Sequence, residues 1–197
     1  FPKNKITRIL LSKLNYPLAA PSANIFKKVS PVSAKDVKED FGKKIKYILD
    51  GGRSKIGLES TIVDTRKKPI ILRYGSLEKS EIEKILGKKI KVGINSKKYS
   101  SPGQFKVHYS PGIPLRMNAK KFKLSEALVL LKKKKETHSN FFYLSKTNNL
   151  KEAAKNLYTI LRKIKKKGYK SIAVTKIPNH GIGQSINDRL KKASKFK

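Results

Sequence analysis

The sequence predicts an α/β protein made of two units joined by a polar connector. Two observations carry this. Apolar runs of strand length alternate with segments whose apolar residues recur at helical spacing. Between them, residues 88–113 turn polar and rich in Lys and Ser, with the Pro-Gly pairs Pro102-Gly103 and Pro111-Gly112.

The elements follow in order. Ile6, Ile9, Leu10 and Leu14 sit at helical spacing within 3–14. Residues 17–20 form a short strand candidate, broken by Pro21-Ser22-Ala23-Asn24. Ser33 with Asp36 three residues on resembles a capping box, opening a helix that runs to about Phe41 and stops at Gly42. Residues 45–49 read as a strand halted by Asp50-Gly51-Gly52, and 60–64 and 69–73 as two more. Ile82, Ile85 and Leu86 mark one face of a helix closed by Gly87. Beyond the connector, 128–131 and 141–144 are apolar enough for buried strands. Leu150, Ala153, Ala154, Leu157, Leu161 and Ile164 define a long amphipathic helix, 171–175 a strand and 185–193 a basic last helix.

Composition narrows the function classes. At 197 residues the chain can bury a real core. It has no run of about 20 apolar residues, so no transmembrane helix is expected, and its start lacks the features of a signal peptide. The absence of cysteine excludes disulfides and thiolate metal sites, which fits a cytoplasmic protein. The net charge of +35 points first to polyanions. Yet only seven of the 48 basic residues are Arg, the residue expected where phosphates or bases are gripped bidentately. Codon bias in an AT-rich genome is the main reading of that imbalance.

Four short motifs could carry chemistry. Pro21-Ser22-Ala23-Asn24 places small hydrogen-bonding groups after a strand candidate, where α/β folds commonly hold ligands, although an ordinary turn has the same composition. Gly57-Leu58-Glu59-Ser60-Thr61 opens the next strand with a hydroxyl pair. Arg73 ends an apolar strand, where it can clamp a phosphate or pair with a carboxylate. His108-Tyr109 lies between Pro-Gly and Pro, in a connector able to fold over a neighbouring site. No nucleophile–base pair, Walker A sequence or histidine spacing suited to zinc accompanies them, so neither a catalytic residue nor a metal site is assigned.

The order of these segments resembles the Sua5/YrdC family: PLAAPSAN, Ser30-Pro31, ILDGG at 48–52, GLESTIVD at 57–64, ILRYG at 71–75, the connector SPGQFKVHYSP, and NHGIGQSINDRLKKAS at 179–194. The resemblance covers nearly the whole chain. It implies part of a YrdC-like twisted mixed sheet with helices over 1–93, an interdomain linker over 94–114 and a small Rossmann-like α/β Sua5 C-terminal domain over 115–197. It also implies an enzyme that condenses L-threonine, bicarbonate and ATP, with Mg2+ accompanying the ATP, to threonylcarbamoyl-AMP and pyrophosphate. The threonylcarbamoyl group then passes, through downstream transferase machinery, to adenosine 37 of tRNA.

Carried onto this sequence, the resemblance implies threonine contacts at Ser22 and Ser60. It implies nucleotide contacts at Asn24, Ser30, Arg73, His108 and Tyr109. The sequence departs from the family pattern in three places. Asn24-Ile25-Phe26-Lys27-Lys28 stands where an Asn-x-Ser-Gly stretch after PSAN is common, Lys106 where Tyr often precedes the His-Tyr pair, and Tyr74 where Pro is common. The family's N-terminal half, with its Lys/Arg nucleotide motif, is not in this sequence, so the chain is expected to be inactive alone. Two other readings share the fold. One is a basic module for tRNA or double-stranded RNA. The other is a carbamoyl-phosphate-type hydrogenase maturation protein, against which the linker and closing motif argue.

Overall fold

The structure is a computed structural model that describes residues 2–93, 101–103, 105 and 107–195. The first stretch of the linker, 94–100, and the departure at Lys106 lie outside the described residues.

Helix α1 (Lys5–Ser12) is capped by Asn4, whose Oδ1 accepts from the Thr7 amide at 3.0 Å. Asn4 Nδ2 also donates to the Gly51 carbonyl at 3.0 Å, tying the helix to the 50–52 turn. Helix α2 (Ala34–Phe41) starts as the Ser33–Asp36 spacing predicts. The Asp36 amide donates to Ser33 Oγ, the Val32 amide donates to Asp36 Oδ2, and Gly42 ends the helix at φ 53°.

Two expected strands do not form: residues 17–20 and 45–49 are irregular. A strand exists through its ladder of hydrogen bonds, and neither segment joins one among the described residues. Their apolar side chains stay correspondingly open, with Leu18, Tyr47 and Leu49 all exposed. Residues 60–64 and 69–73 do pair, as β1 (Ile62–Asp64) and β2 (Ile70–Arg73), antiparallel with a register shift at Ile62/Val63. β2 also takes a parallel partner, β3 (Lys91–Val92), too short and basic to be legible as a strand. The result is a mixed three-stranded sheet in the order β1-β2-β3. Helix α3 (Lys79–Leu86) packs Ile82 against Ile71 and Ile90, and Gly87 closes it at φ 64°.

The second sheet is wholly parallel, in the order β4-β7-β5-β6, from β4 (Leu115–Arg116), β5 (Ala127–Lys132), β6 (Phe141–Ser145) and β7 (Ile172–Val174). Parallel strands require crossovers, supplied here between β6 and β7 by helix α4 (Leu150–Lys166). Side chains alternate along β5. Ala127, Val129 and Leu131 face α4 and the last helix, α5 (Gly183–Ala193). Leu128 and Leu130 face the other way, covered by Phe122, Phe141 and Tyr143.

The core under α4 continues past its own sheet. Val29, Val32, Leu58 and Tyr109 belong to the same buried cluster as Leu157, Tyr158 and Leu161. The backbones approach closely at Gly57, where φ is +82° and an added Cβ would stand 2.5 Å from Lys155 Cα. Only glycine suits both the backbone angle and the approach. Arg162, on the same helix face, makes two hydrogen bonds to the Asp40 carboxylate and a third to the Val29 carbonyl at 2.9 Å. The linker end is tied in by the exchange of amides and carbonyls between Lys27–Val29 and Ser110.

Candidate active site

The motif residues meet where β1, β2, the linker and helices α4 and α5 converge. Their placement starts with Glu59. It follows the tight Gly57 turn and is carried toward α4, where its carboxylate gathers three donors. Ser30 Oγ donates to Oε1 at 2.6 Å, Tyr158 OH approaches Oε1 at 3.1 Å and Oε2 at 2.9 Å, and Arg189 Nε donates to Oε2 at 3.0 Å. Burial works to raise the Glu59 carboxyl, but the Arg189 charge and the Ser30 hydroxyl outweigh it and hold the group below the ordinary carboxylate range.

The next residue, Ser60, receives Arg73 from the end of β2. Arg73 Nε donates to the Ser60 carbonyl at 3.0 Å and Nη2 to Ser60 Oγ at 3.2 Å, while Nη1 reaches the Pro102 carbonyl at 3.4 Å. Arg73 is therefore a buried cation fixed between the β1 entry and the linker.

The linker supplies the far side. His108 Nδ1 accepts from the Tyr109 amide at 3.0 Å, which leaves Nε2 as the ring's other hydrogen-bonding position. Burial keeps the imidazole neutral by lowering its pKa. Glu59 opposes that shift, while the charges of Lys192, Arg189 and Arg73 add to it. A neutral ring bonded this way carries its proton on Nε2 and offers it as a donor. Tyr109 is 1% exposed and takes φ 59°. Burial pushes its phenol up to about 12, and the hydroxyl has no hydrogen-bond partner among the described residues.

A cleft of about 360 Å³ opens beside this cluster, lined by Ser22, Ser30, Ser54, Gly57, Glu59 and Tyr158 among others. The structure thus brings Ser30, Ser60, Arg73, His108 and Tyr109 into one connected neighbourhood and sets Ser22 on the adjoining cleft. Asn24 stands apart. Its side-chain amide donates to the Ile25 carbonyl at 3.0 Å and the Lys28 carbonyl at 3.3 Å, shaping its own loop. In that loop Lys27, within the departing stretch, adopts φ 65°, a left-handed angle costing a non-glycine residue about 1–2 kcal/mol.

Sequence reasoning assigned no role to Glu59, Arg189 or Tyr158. Glu59 and Arg189 lie inside quoted motifs, so a signal was present. Tyr158 interrupts the apolar stripe of α4 with a polar tip, which periodicity alone does not flag. Among the described residues no group of three or more His, Cys, Asp or Glu could hold a metal ion, and no helix is long and apolar enough to cross a membrane.

Two of these groups make stability pH-dependent. Glu59 and His108 both have folded pKa values below their ordinary 4.5 and 6.5, so unfolding takes up protons as the pH falls. Each contribution is complete above the ordinary value and is lost as the pH falls through the lower folded one. The thermal midpoint, followed by circular dichroism, is expected to drop as the pH falls below the ordinary 6.5 of His108, and further below the ordinary 4.5 of Glu59. A midpoint that rises on acidification would contradict this assignment.

Comparison with known proteins places this geometry in context. Residues 77–195 match the family model for "Threonylcarbamoyl-AMP synthase, C-terminal domain". Residues 1–75 match the Sua5/YciO/YrdC model described as "Telomere recombination". The threonylcarbamoyl-AMP synthase of Pyrococcus abyssi is 33% identical over 100% of this chain and 63% of its own length. The Bacillus subtilis enzyme is 29% identical over 98% of this chain and 61% of its own. Among solved structures, P. abyssi Sua5 complexed with L-threonine superposes with a TM-score of 0.80 at 32% identity, covering 94% of this chain and 59% of that one. A P. abyssi Sua5 variant with an adjacent His–Tyr pair replaced by alanine gives 0.83 at 31% identity, covering 98% and 61%. The chain spans about three fifths of the length of the relatives it matches. With a family model matched over more than half of its residues, the chain belongs to the threonylcarbamoyl-AMP synthase (Sua5/YrdC) family.

Proposed function

We propose that this chain forms the threonine- and phosphate-facing part of a threonylcarbamoyl-AMP synthase. In the reaction L-threonine, bicarbonate and ATP become threonylcarbamoyl-AMP, pyrophosphate and water. The observation that carries this reading is the convergence of Arg73, Ser60 and the His108-Tyr109 linker pair on one cation-rich wall, with Arg73 and Tyr109 buried, His108 half-buried and Ser60 open to solvent. A synthase of this kind needs no covalent intermediate. Its barrier falls through positioning the carbamate against the α-phosphate and stabilising charge on the departing pyrophosphate.

Each side chain then has a task. Ser60 and Ser22 hold the amino acid. Arg73, prefixed by its bonds to Ser60, presents positive charge to phosphate oxygens without reorganising during the reaction. Neutral His108 donates from Nε2, and Tyr109 supplies a buried hydroxyl. Ser30 acts through Glu59, and Asn24 through the shape of its loop. Any Mg2+ would ride on the nucleotide's own phosphates, since the described residues offer no carboxylate cluster to hold it. The product's threonylcarbamoyl group would be passed on to tRNA by separate transferase machinery in the cytoplasm.

The test is pyrophosphate release from ATP, measured for this chain alone and with the aligned remainder of a relative added. Release that requires both L-threonine and bicarbonate supports the reading. Silence from a folded assembly would favour the RNA-binding alternative, if the chain also binds tRNA with steep salt dependence and indifference to threonine.

A further inference from the structure

The cluster holds a closed circuit in which two members, Arg189 and Tyr158, have no task in the site chemistry above. Arg189, on α5, is 1% exposed. Its Nε donates to Glu59 Oε2, and its guanidinium carbon lies 4.9 Å from the centroid of the Tyr109 ring. The Tyr109 ring stacks on Tyr158 at 5.9 Å and 18°. Tyr158 OH returns to the Glu59 carboxylate. Glu59, Arg189, Tyr109 and Tyr158 thus form a ring of four contacts drawn from the 57–61 turn, α5, the linker and α4. Arg189 is itself oriented, since Nη1 donates to Asp188 Oδ2 at 2.7 Å and Asp188 is held by Lys192 Nζ at 2.8 Å.

We infer that Arg189 is a positioning residue for the proposed site, setting the Glu59-Ser60 turn and the His108-Tyr109 linker in register with each other. The inference rests on the functional reading above for its consequence in catalysis, but not for the coupling itself. Glu59 is bonded to Ser60, and Ser60 carries two of Arg73's hydrogen bonds. Fixing Glu59 therefore fixes the threonine-side serine and the phosphate-side arginine together. The same guanidinium packs on the linker tyrosine ring.

Mere attachment of the C-terminal unit would not need such a group. Apolar replacement of a buried ion pair is often neutral or stabilising, and the surrounding core of Leu58, Leu157 and Leu161 already supplies adhesion. What an ion pair and a cation–π contact add is direction.

The coupling is tested by amide hydrogen exchange on this chain with Arg189→Met, which keeps length and apolar bulk but removes every donor. Exchange is expected to accelerate about tenfold or more at 58–61 and at 109–110, with 127–131 in β5 unchanged. No acceleration in either segment, or equal acceleration in β5, overturns the inference. Tyr158→Phe removes a single hydroxyl from the circuit and should move the same two segments about threefold, which keeps the test decisive if the methionine variant does not fold. In the assembled enzyme, Arg189→Met should raise the KM for L-threonine about tenfold with a smaller change in kcat, and Arg189→Lys should recover part of that loss. An unchanged KM overturns the positioning role. If the unmutated assembly is inactive, the functional reading fails instead, and the exchange result still decides the coupling.

Discussion

Glu59→Ala is expected to destabilise the protein by about 3–5 kcal/mol, the cost of stranding a buried charge by deleting its partner. Arg189 has nowhere to take its charge: at 1% exposure it cannot turn to solvent. Asp188 remains, but it is already shared with Lys192. The loss spreads further, because Ser30 Oγ and Tyr158 OH lose their acceptor in the same step. Each orphaned hydroxyl adds about 1–3 kcal/mol if no replacement partner appears, so relaxation of both is needed to keep the total in the stated range. Chemical denaturation of Glu59→Ala and Glu59→Gln separates the terms. The glutamine keeps an acceptor but not the charge and should fall between alanine and the parent. An alanine variant within about 1 kcal/mol of the parent would mean that Asp188 alone suffices for Arg189.

Arg73→Met in the assembled enzyme is expected to cost about 10²–10³-fold in kcat, the usual penalty for removing a preorganised donor from developing charge. The effect should exceed any loss of stability. Among the described residues Arg73 bonds to Ser60 and the Pro102 carbonyl, and the methionine stem still fills its place between β2 and the linker. Arg73→Lys should recover little, since an ammonium cannot serve the Ser60 carbonyl, Ser60 Oγ and Pro102 carbonyl as one planar fork. Steady-state pyrophosphate release with the thermal midpoint of each variant reads the two quantities apart. A kcat within about threefold of the parent would remove Arg73 from the phosphate side and leave it a strut between loops.

Both results turn on residues whose neighbours are far away in sequence. Glu59 and Arg189 are separated by 130 positions, Tyr158 and Glu59 by 99. A side chain's ionic partner leaves no local periodic trace, so none of this circuit could be read from spacing. Arg73 is the instructive intermediate case. Its place at the end of an apolar strand was legible, but that its guanidinium would be occupied by Ser60 was not.

The sequence by itself determined the elements whose signals are local. The capping pair at Ser33 and Asp36, the left-handed stop at Gly87, the apolar stripe of α4 and the buried runs of β5 and β6 each formed where their residues prescribed. Propensity and periodicity act over one or two turns, and there they suffice. Tertiary structure decided the rest. Residues 17–20 and 45–49 carry strand-like composition yet form none, because a ladder requires a neighbour that composition cannot supply. β3 and β4 exist as two-residue strands only because β2 and β7 offer them edges. The placing of Glu59 between Ser30, Tyr158 and Arg189 likewise came from the docking of α4 and α5. That convergence is long-range, and only the packed chain brings its members within hydrogen-bonding distance.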